Sequence, residues 1–271
     1  MALLHVDFFS EVLGVGASMN VILPQPLSDR AIGVAGGPVA TPAHGHPTLW
    51  LLHGLSDDHT AWCRRTAIER HVSGLGLAVV MPAVGRSYYA DMALGPAYWT
   101  FVSEELPAVC RRMFRLSPRR EDNFAAGLSM GGYGAFKLAL NRPDRFAAAA
   151  SLSGALDPAR LRERFTDRRD EWNQMFGDPP RIAGTPADLF VRAEVLAAGP
   201  YADLPLYACC GTDDFIFDNS EAFAAHARRL DLNLTYETHA GEDHEWGYWD
   251  QQIARVLDWL PLPPAGGALK R

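Results

Sequence analysis

One five-residue motif, Gly127-Leu128-Ser129-Met130-Gly131, constrains the fold of this chain more than any other feature. It follows a short apolar run at 123–126 and precedes residues with helical spacing. Glycines on both sides of a serine are expected where the backbone turns sharply from a strand into a helix, because larger side chains there would strike one element or the other. The motif therefore predicts a strand, a strained turn that exposes Ser129, and a closely packed helix.

Strand-like and helix-like segments alternate along most of the sequence. Two strands near the N-terminus, 6–9 and 19–23, are predicted to pair as an antiparallel hairpin, and a Gly/Pro/His-rich loop at 33–47 leads to the next strand. Further strands are predicted at 48–53, 77–81, 123–126, 146–152, 206–210 and 233–238, and helices at 60–71, 98–114, 220–230 and 245–260, the second of them kinked or broken at Pro107. Such alternation indicates an α/β fold with a mostly parallel central sheet and helices on both faces.

One segment, 157–201, interrupts the alternation with charged and Pro/Gly-rich sequence. We expect a single domain over 1–271 in which this segment is a small cap insertion above the carboxyl edge of the sheet. Trp172 and Phe176 in the segment, together with Trp246, are predicted to bind the substrate. The alternative is a surface excursion whose apolar residues pack on the sheet.

The composition excludes several classes of partner. The 271-residue chain is 48% hydrophobic and carries a net charge of −7 with a pI near 5.7, which argues against nucleic acid or an anionic membrane surface. Four cysteines show neither disulfide-scaffold density nor metal-ligand spacing. With no signal peptide and no long apolar stretch in the sequence, we expect a cytoplasmic protein that acts on a small molecule.

A serine on a strand-to-helix turn is the nucleophile of the α/β-hydrolase fold, where an acid and then a histidine follow it along the chain. Asp213 and Asp214 come directly after a predicted strand, and either could be the acid, the other then accepting backbone N–H groups in the turn. His244 lies in the loop before the last helix and is the candidate base. His239 ends a strand and is interpreted as a packing residue.

Acyl transfer also needs donors for the developing oxyanion. The backbone N–H of Met130 is the first candidate, and that of Leu55, in the loop after the 48–53 strand, is the second. His53 is predicted to be structural. The acidic loop 57–59 is interpreted as a polar loop, with a cation site as the alternative. No second histidine follows His244 at metalloprotease spacing, so neither zinc nor any other metal is expected.

Five pieces of the sequence, taken in order, resemble the Putative esterase family of α/β-hydrolases, which includes tributyrin esterase, esterase D (S-formylglutathione hydrolase) and the mycolyltransferases. They are 51–54, 85–92, 127–135, 210–215 and 244–250, and the likeness is strongest to the tributyrin esterase branch. The resemblance implies Ser129 as nucleophile, Asp214 as acid and His244 as base. Where the family's pattern leads us to expect a Gly-Asn turn after 53–56, this chain has Asp57-Asp58-His59.

The resemblance also implies an activity. Family members hydrolyse carboxylic esters of short acyl chains, some of them on acetylated or feruloylated sugars, without a cofactor and often as homo-oligomers. We therefore expect a serine carboxylesterase that works through an acyl-enzyme. Four alternatives stay open: a thioesterase of the S-formylglutathione hydrolase type, an acetyl or feruloyl sugar esterase, an acyltransferase, and a binding module without catalytic activity.

Overall fold

The computed structural model describes residues 1–25 and 42–262; the predicted 33–47 loop lies largely outside these residues. Eight strands form one sheet, and five of them are buried along their whole length, as their apolar sequences require. The strands are β1 (Ala2–Ser10), β2 (Val15–Leu23), β3 (Thr48–Leu52), β4 (Ala78–Pro82), β5 (Asn123–Leu128), β6 (Ala148–Leu152), β7 (Leu206–Gly211) and β8 (Leu234–His239).

The spatial order of the strands is β1-β2-β4-β3-β5-β6-β7-β8. The first two strands form the predicted antiparallel hairpin, β2 pairs antiparallel with β4, and the other pairs are parallel. Along β1 more exposed and less exposed side chains alternate, as expected for a strand with one face in water. The carboxyl ends of β5, β7 and β8 thus meet at one edge of the sheet, where such folds place their sites.

Helices cover both faces of the sheet and bury a core on each side. One core lies beneath α1 (Ala61–Arg65), α2 (Ile68–His71) and α10 (Trp246–Trp259). The opposite core includes side chains from α4 (Leu106–Met113), α5 (Met130–Asn141), α8 (Leu189–Ala197) and α9 (Phe217–Arg229). A short helix, α3 (Tyr98–Thr100), precedes α4. This is the α/β-hydrolase fold predicted from the sequence.

Two predicted helices differ from the observed ones. The 60–71 helix is divided into α1 and α2, because Thr66 at the end of α1 is extended. The 98–114 helix contains a π-helical turn, Phe101–Glu105, directly before α4. Pro107 is then the second residue of α4, directly after the π-helical turn, and the helical backbone continues through it instead of breaking.

The interrupting segment contains α6 (Pro158–Arg164) and α7 (Arg169–Phe176) in addition to α8. Its apolar side chains are largely buried in the same core as α5, and α5 and α8 pack against each other. None of the helices in the described part of the chain is long and apolar enough to span a membrane.

Candidate active site

Ser129 occupies the strained turn that the glycine pattern predicts. Its φ is +53°, a value that L-residues rarely adopt, and it stands between the end of β5 and the start of α5. A Cβ on Gly127 would lie 2.4 Å from the carbonyl carbon of Gly131, and one on Gly131 would lie 2.3 Å from the carbonyl oxygen of Leu52. The two glycines are therefore required for α5 to start this close to the sheet.

Ser129, His244 and Asp214 form a continuous chain of hydrogen bonds. Nε2 of His244 lies 3.1 Å from Oγ of Ser129, and Nδ1 lies 2.8 Å from Oδ2 of Asp214. An imidazole with its proton on Nδ1 donates to the carboxylate and keeps Nε2 free to accept from the serine hydroxyl. The backbone N–H of Ile216 donates to the other carboxylate oxygen at 3.0 Å, which fixes the orientation of Asp214.

The Asp214 carboxyl is buried, yet its pKa is lowered. Burial alone would raise the pKa, but the hydrogen bond and charge of His244 and the Ile216 N–H outweigh that effect. The His244 ring itself contacts two aromatic rings, with centroid distances of 4.6 Å to Phe215 and 4.8 Å to Trp249. The acid is thus ionised and the imidazole is held in one orientation.

The two alternative residues lie elsewhere. Asp213 is exposed and accepts from the hydroxyl of its neighbour Thr212 at 3.1 Å. His239 ends β8, and its ring nitrogens lie 2.9 Å from the Tyr248 hydroxyl and 2.8 Å from the Arg255 guanidinium. Neither residue takes part in the hydrogen-bond chain of Ser129.

A pocket of about 430 Å³ opens above Ser129 and His244. Of the predicted substrate-binding residues, Trp246 lines it, but Trp172 and Phe176 do not. Trp172 is fully buried and packs with Phe176 against the outer side of the Tyr88 ring, so these two residues support the wall without forming it. Phe165, an aromatic candidate of the 157–201 segment, also lines the pocket. The lining further contains residues that the sequence did not indicate as substrate contacts, namely Arg86, Tyr88, Ala155, Leu161, Arg168, Phe215, Ile216 and Trp249.

Some of these missed residues had a signal in the sequence. Arg86 and Tyr88 belong to the 85–92 piece of the family resemblance, and Phe215 directly follows the predicted acid. Arg86 and Arg168 both hydrogen-bond Glu171 of α7, so an ionic network links the β4–α3 connection to the interrupting segment at the pocket. Such a link could not be read from the sequence because it joins side chains that are far apart in the chain.

The two predicted oxyanion donors are the backbone N–H groups of Met130 and Leu55. Met130 is the first residue of α5, and N–H groups in a first helical turn have no acceptor within the helix. Leu55 lines the pocket directly after Gly54, where a Cβ would lie 2.7 Å from the Leu128 side chain. Both predicted donors therefore belong to backbone segments next to Ser129.

His53 holds the loop before Leu55 in place. Its Nδ1 lies 2.7 Å from the Gly54 carbonyl, and its Nε2 accepts from the Val84 N–H at 3.0 Å. Burial lowers the pKa of His53 to about 4, so the ring is neutral and both nitrogens are used in these bonds. This arrangement agrees with the structural role predicted for His53.

The acidic loop does not form a metal cluster. Asp57 faces the pocket, Asp58 accepts from the Thr60 N–H at 2.8 Å, and the His59 ring stacks on His5 at 4.9 Å. Within 1–25 and 42–262, no group of three or more histidine, cysteine or acidic side chains is arranged to hold a metal ion. The side chains of Asp57, Asp58 and His59 thus contact different parts of the protein and do not converge on one point.

This fold, with a serine at the turn between β5 and α5 that is hydrogen-bonded to a histidine, defines the chain as an α/β-hydrolase. The model of the family described as Putative esterase matches residues 28–260, and the chain belongs to that family. It is a carboxylic ester hydrolase.

Individual relatives support this placement. The chain is 26% identical over 267 residues to an acetyl esterase of Caldicellulosiruptor saccharolyticus, covering 96% of this chain and 98% of the relative. It is 33% identical to two solved Staphylococcus aureus proteins, the fluorophosphonate-binding serine hydrolase FphF in a substrate-bound structure and the S-formylglutathione hydrolase FrmB, with TM-scores of 0.82 and 0.80. Each of these two alignments covers 96% of this chain and 98% of the other.

Proposed function

We propose that Ser129 is the nucleophile, His244 the general base and Asp214 the orienting acid of a short-chain carboxylesterase. The hydrogen-bond chain from Ser129 Oγ through the His244 ring to Asp214, at the floor of an open pocket, carries this proposal. As Oγ attacks the ester carbonyl, Nε2 of His244 takes the serine proton. The buried Asp214 carboxylate stabilises the imidazolium that forms.

His244 gives its proton to the leaving alcohol as the tetrahedral intermediate collapses to the acyl-enzyme, which completes acylation. In the proposed second half, His244 takes a proton from the water that attacks the acyl carbonyl and returns it to Oγ of Ser129 as the acid leaves. The N–H groups of Met130 and Leu55 are the proposed donors to the oxyanion in both steps. Ser129 is released with the carboxylic acid product, and no cofactor takes part.

The proposed substrates are esters of short acyl chains. The pocket is walled by Leu161, Phe165, Phe215 and Trp246, and we propose that these bulky side chains limit the acyl group to a short chain. Each methylene that fits should contribute about 0.8 kcal/mol of burial until a wall is reached. The acetyl esterase relative supports this size class, as does the resemblance to the tributyrin esterase branch.

We further propose that 157–201 forms a cap over this pocket within the single domain. Leu161, Phe165 and Arg168 bring three side chains of the segment into the lining. The segment is also tied to the sheet side of the pocket through the Arg86–Glu171 pair. Self-association of such a capped domain stays a prediction, and sedimentation velocity would measure it.

A thioesterase activity is the second candidate. The similarity to FrmB, described as an S-formylglutathione hydrolase, supports it, and the same three residues would serve a thioester. Rates on matched acetyl oxyesters and thioesters, together with a p-nitrophenyl series from acetyl to dodecanoyl, would separate the two candidates. A peak at acetyl to butyryl oxyesters is expected. Activity that is flat to dodecanoyl would contradict the size argument.

The nucleophile assignment has a direct test. A fluorophosphonate probe should label the wild-type protein once, at Ser129, and peptide mass spectrometry would locate the label. Ser129→Ala should lose the label and at least ~10³-fold in kcat while keeping its circular dichroism spectrum. Ser18→Ala is the control, because Ser18 does not line the pocket and its hydroxyl bonds Asp7 of β1, so labelling at Ser129 should persist. More than a tenth of the activity in folded Ser129→Ala would exclude the assignment.

A further inference from the structure

A second cavity, of about 330 Å³, lies beside the candidate active site. It is bounded by the loop after β4, by α5, and by the end of α7 with the residues that follow. It shares no lining residue with the pocket above Ser129. Nothing in the proposed ester hydrolysis uses it.

One wall of this cavity is formed by Lys137, an almost fully buried cation with 3% of its surface exposed. Its Nζ donates to the Tyr89 carbonyl at 2.8 Å and stands 4.8 Å from the centre of the Trp99 ring. An ammonium has three donors, so this hydrogen bond leaves others for a molecule in the cavity. Burial lowers the pKa of Lys137 to about 7, because removing an ammonium from water is costly.

The other charged groups around the cavity only partly balance this cation. Asp91 faces Lys137 from the loop after β4, but its two carboxylate oxygens already accept from the backbone N–H and the hydroxyl of Thr100, both at 2.8 Å. The exposed Arg181 lines the cavity and adds a second cation. On α5 the Tyr133 ring lies 5.8 Å from Nζ, and it is neutral because burial raises its pKa.

Apolar side chains form much of the remaining wall. Met92, Met175 and Phe176 line the cavity together with Trp99. A buried ammonium beside an apolar slot matches a ligand with one anionic end and a compact apolar body. A bare inorganic anion would leave the apolar walls without a partner, and a neutral apolar molecule would leave Lys137 with only Asp91, which is already bonded to Thr100, as a counter-charge.

We propose that this cavity is a second ligand site, which binds a small monocarboxylate with its carboxylate on Lys137 and its apolar body between Met92 and Met175. The acid released by the proposed ester hydrolysis would be one source of such a ligand, and only this source rests on the proposed function. Binding itself requires no turnover, so it can be tested whether or not the esterase proposal holds.

Proton linkage gives the site a signature. A carboxylate at Nζ favours the charged ammonium, so binding at pH 8 should take up a proton. The affinity should fall as the pH rises above 7, because free Lys137 is then largely neutral while the carboxylate stays ionised. From pH 6.5 to pH 9 we expect a loss of about tenfold or more.

Methionine methyl NMR with benzoate as the probe would test the proposal. Met92 and Met175 report on the second cavity, and Met130, next to Ser129, reports on the active site. Benzoate should shift the methyl signals of Met92 and Met175 at pH 6.5, and benzamide, its neutral isostere, should not. Shifts confined to Met130, or equal shifts with benzamide, would overturn the proposal.

Two variants at position 137 complete the test. Lys137→Met removes the charge and should weaken benzoate binding at least tenfold, with the methyl spectrum otherwise preserved. Lys137→Arg keeps a permanent cation and should bind benzoate with nearly equal affinity at pH 6.5 and pH 9. If the wild type shows no pH dependence, or Lys137→Met binds as the wild type does, Lys137 is not the carboxylate partner. The wild-type benzoate and benzamide comparison decides the question even if a variant does not fold.

Discussion

The backbone of Gly211, the last residue of β7, lies directly against the carbonyl group of Glu242 in the loop that carries His244. A Cβ on Gly211 would lie 2.0 Å from the Glu242 carbonyl oxygen, a distance that no real side chain adopts. The Asp213 N–H donates to the same oxygen at 3.1 Å. The loop after β7 and the loop after β8 are therefore joined by backbone contact, and this contact brings Asp214 and His244 within 2.8 Å of each other.

Gly211→Ala should consequently damage the site more than the fold. The added methyl group must push the 240–245 loop away from β7, which moves His244 relative to Ser129. We expect at least a tenfold fall in kcat with a smaller effect on the melting temperature. Gly16→Ala is the control, because a Cβ there meets nothing within 4 Å. Equal activities of the two variants would show that the loop tolerates the displacement.

The two adjacent acids should behave very differently. Asp214→Asn leaves an amide beside Nδ1 of His244, which cannot stabilise the imidazolium and favours the wrong tautomer. In the trypsin-type triad this change costs up to ~10⁴ in kcat. Asp213→Asn alters an exposed side chain and should cost less than about threefold. Steady-state kinetics on one acetyl ester would measure both, and a reversed order would reassign the acid to Asp213.

The two histidines near the end of the chain form a second matched pair. His244→Ala removes the proposed base and should lower kcat by about 10³-fold or more, as Ser129→Ala does. His239→Ala loses hydrogen bonds to Tyr248 and Arg255 and should lower stability while retaining most of the activity. Inactivity of a folded His239→Ala protein would contradict the assignment of the base.

Much of the fold could be predicted because local patterns and the global fold agree. The buried strands are continuous apolar runs, and the sharp turn between β5 and α5 requires glycines on both sides of Ser129. Helix boundaries were harder, since the helical spacing of the 98–114 segment does not distinguish the π-helical turn Phe101–Glu105 from an α-helix. Ser129 and His244 could be named because one directly follows a recognisable strand and the other directly precedes a recognisable helix. The strand position left Asp213 and Asp214 open, and only the family resemblance selected Asp214.

The pocket lining was less accessible to sequence reasoning. An aromatic residue in an irregular segment can face a cavity or the core. The sequence around it is equally apolar in both cases, so the sequence does not tell them apart. Trp172 was predicted to contact substrate, yet it is fully buried behind Tyr88, whereas Phe165 of the same segment lines the pocket. Only the three-dimensional arrangement of α6 and α7 distinguishes the two.

His53 should make the stability of the protein depend on pH. Its pKa is about 4 in the folded protein, below the value near 6.5 of an unfolded chain, so the unfolded state binds a proton first as the pH falls. Protonation of His53 therefore does not change the free energy of unfolding above pH 6.5, the pKa of the unfolded state. It lowers that free energy by about 3 kcal/mol between pH 6.5 and pH 4. Urea unfolding of the wild type and of His53→Gln would measure the slope.

The His53→Gln variant should be less stable than the wild type at pH 7, but its free energy of unfolding should decrease less on acidification. His46, whose pKa burial also lowers, keeps its own contribution in both proteins, so the slope is expected to decrease without vanishing. An unchanged slope in His53→Gln would mean that His53 becomes protonated in the folded state at an ordinary pH.

The aromatic residues of the 157–201 segment provide the final prediction. Phe165 lines the pocket and its ring meets that of Phe215 at 6.0 Å, so Phe165→Ala should open the wall and shift the preferred acyl chain to longer lengths. Trp172→Ala instead removes a fully buried ring and should lower the free energy of unfolding by about 3–5 kcal/mol. Its chain-length preference should move less than that of Phe165→Ala, because Tyr88 stays between the new cavity and the substrate. A p-nitrophenyl ester series and urea unfolding on both variants would test the pair. If Trp172→Ala shifts the preference further than Phe165→Ala does, the wall collapses without its support and Tyr88 is not a fixed boundary of the pocket.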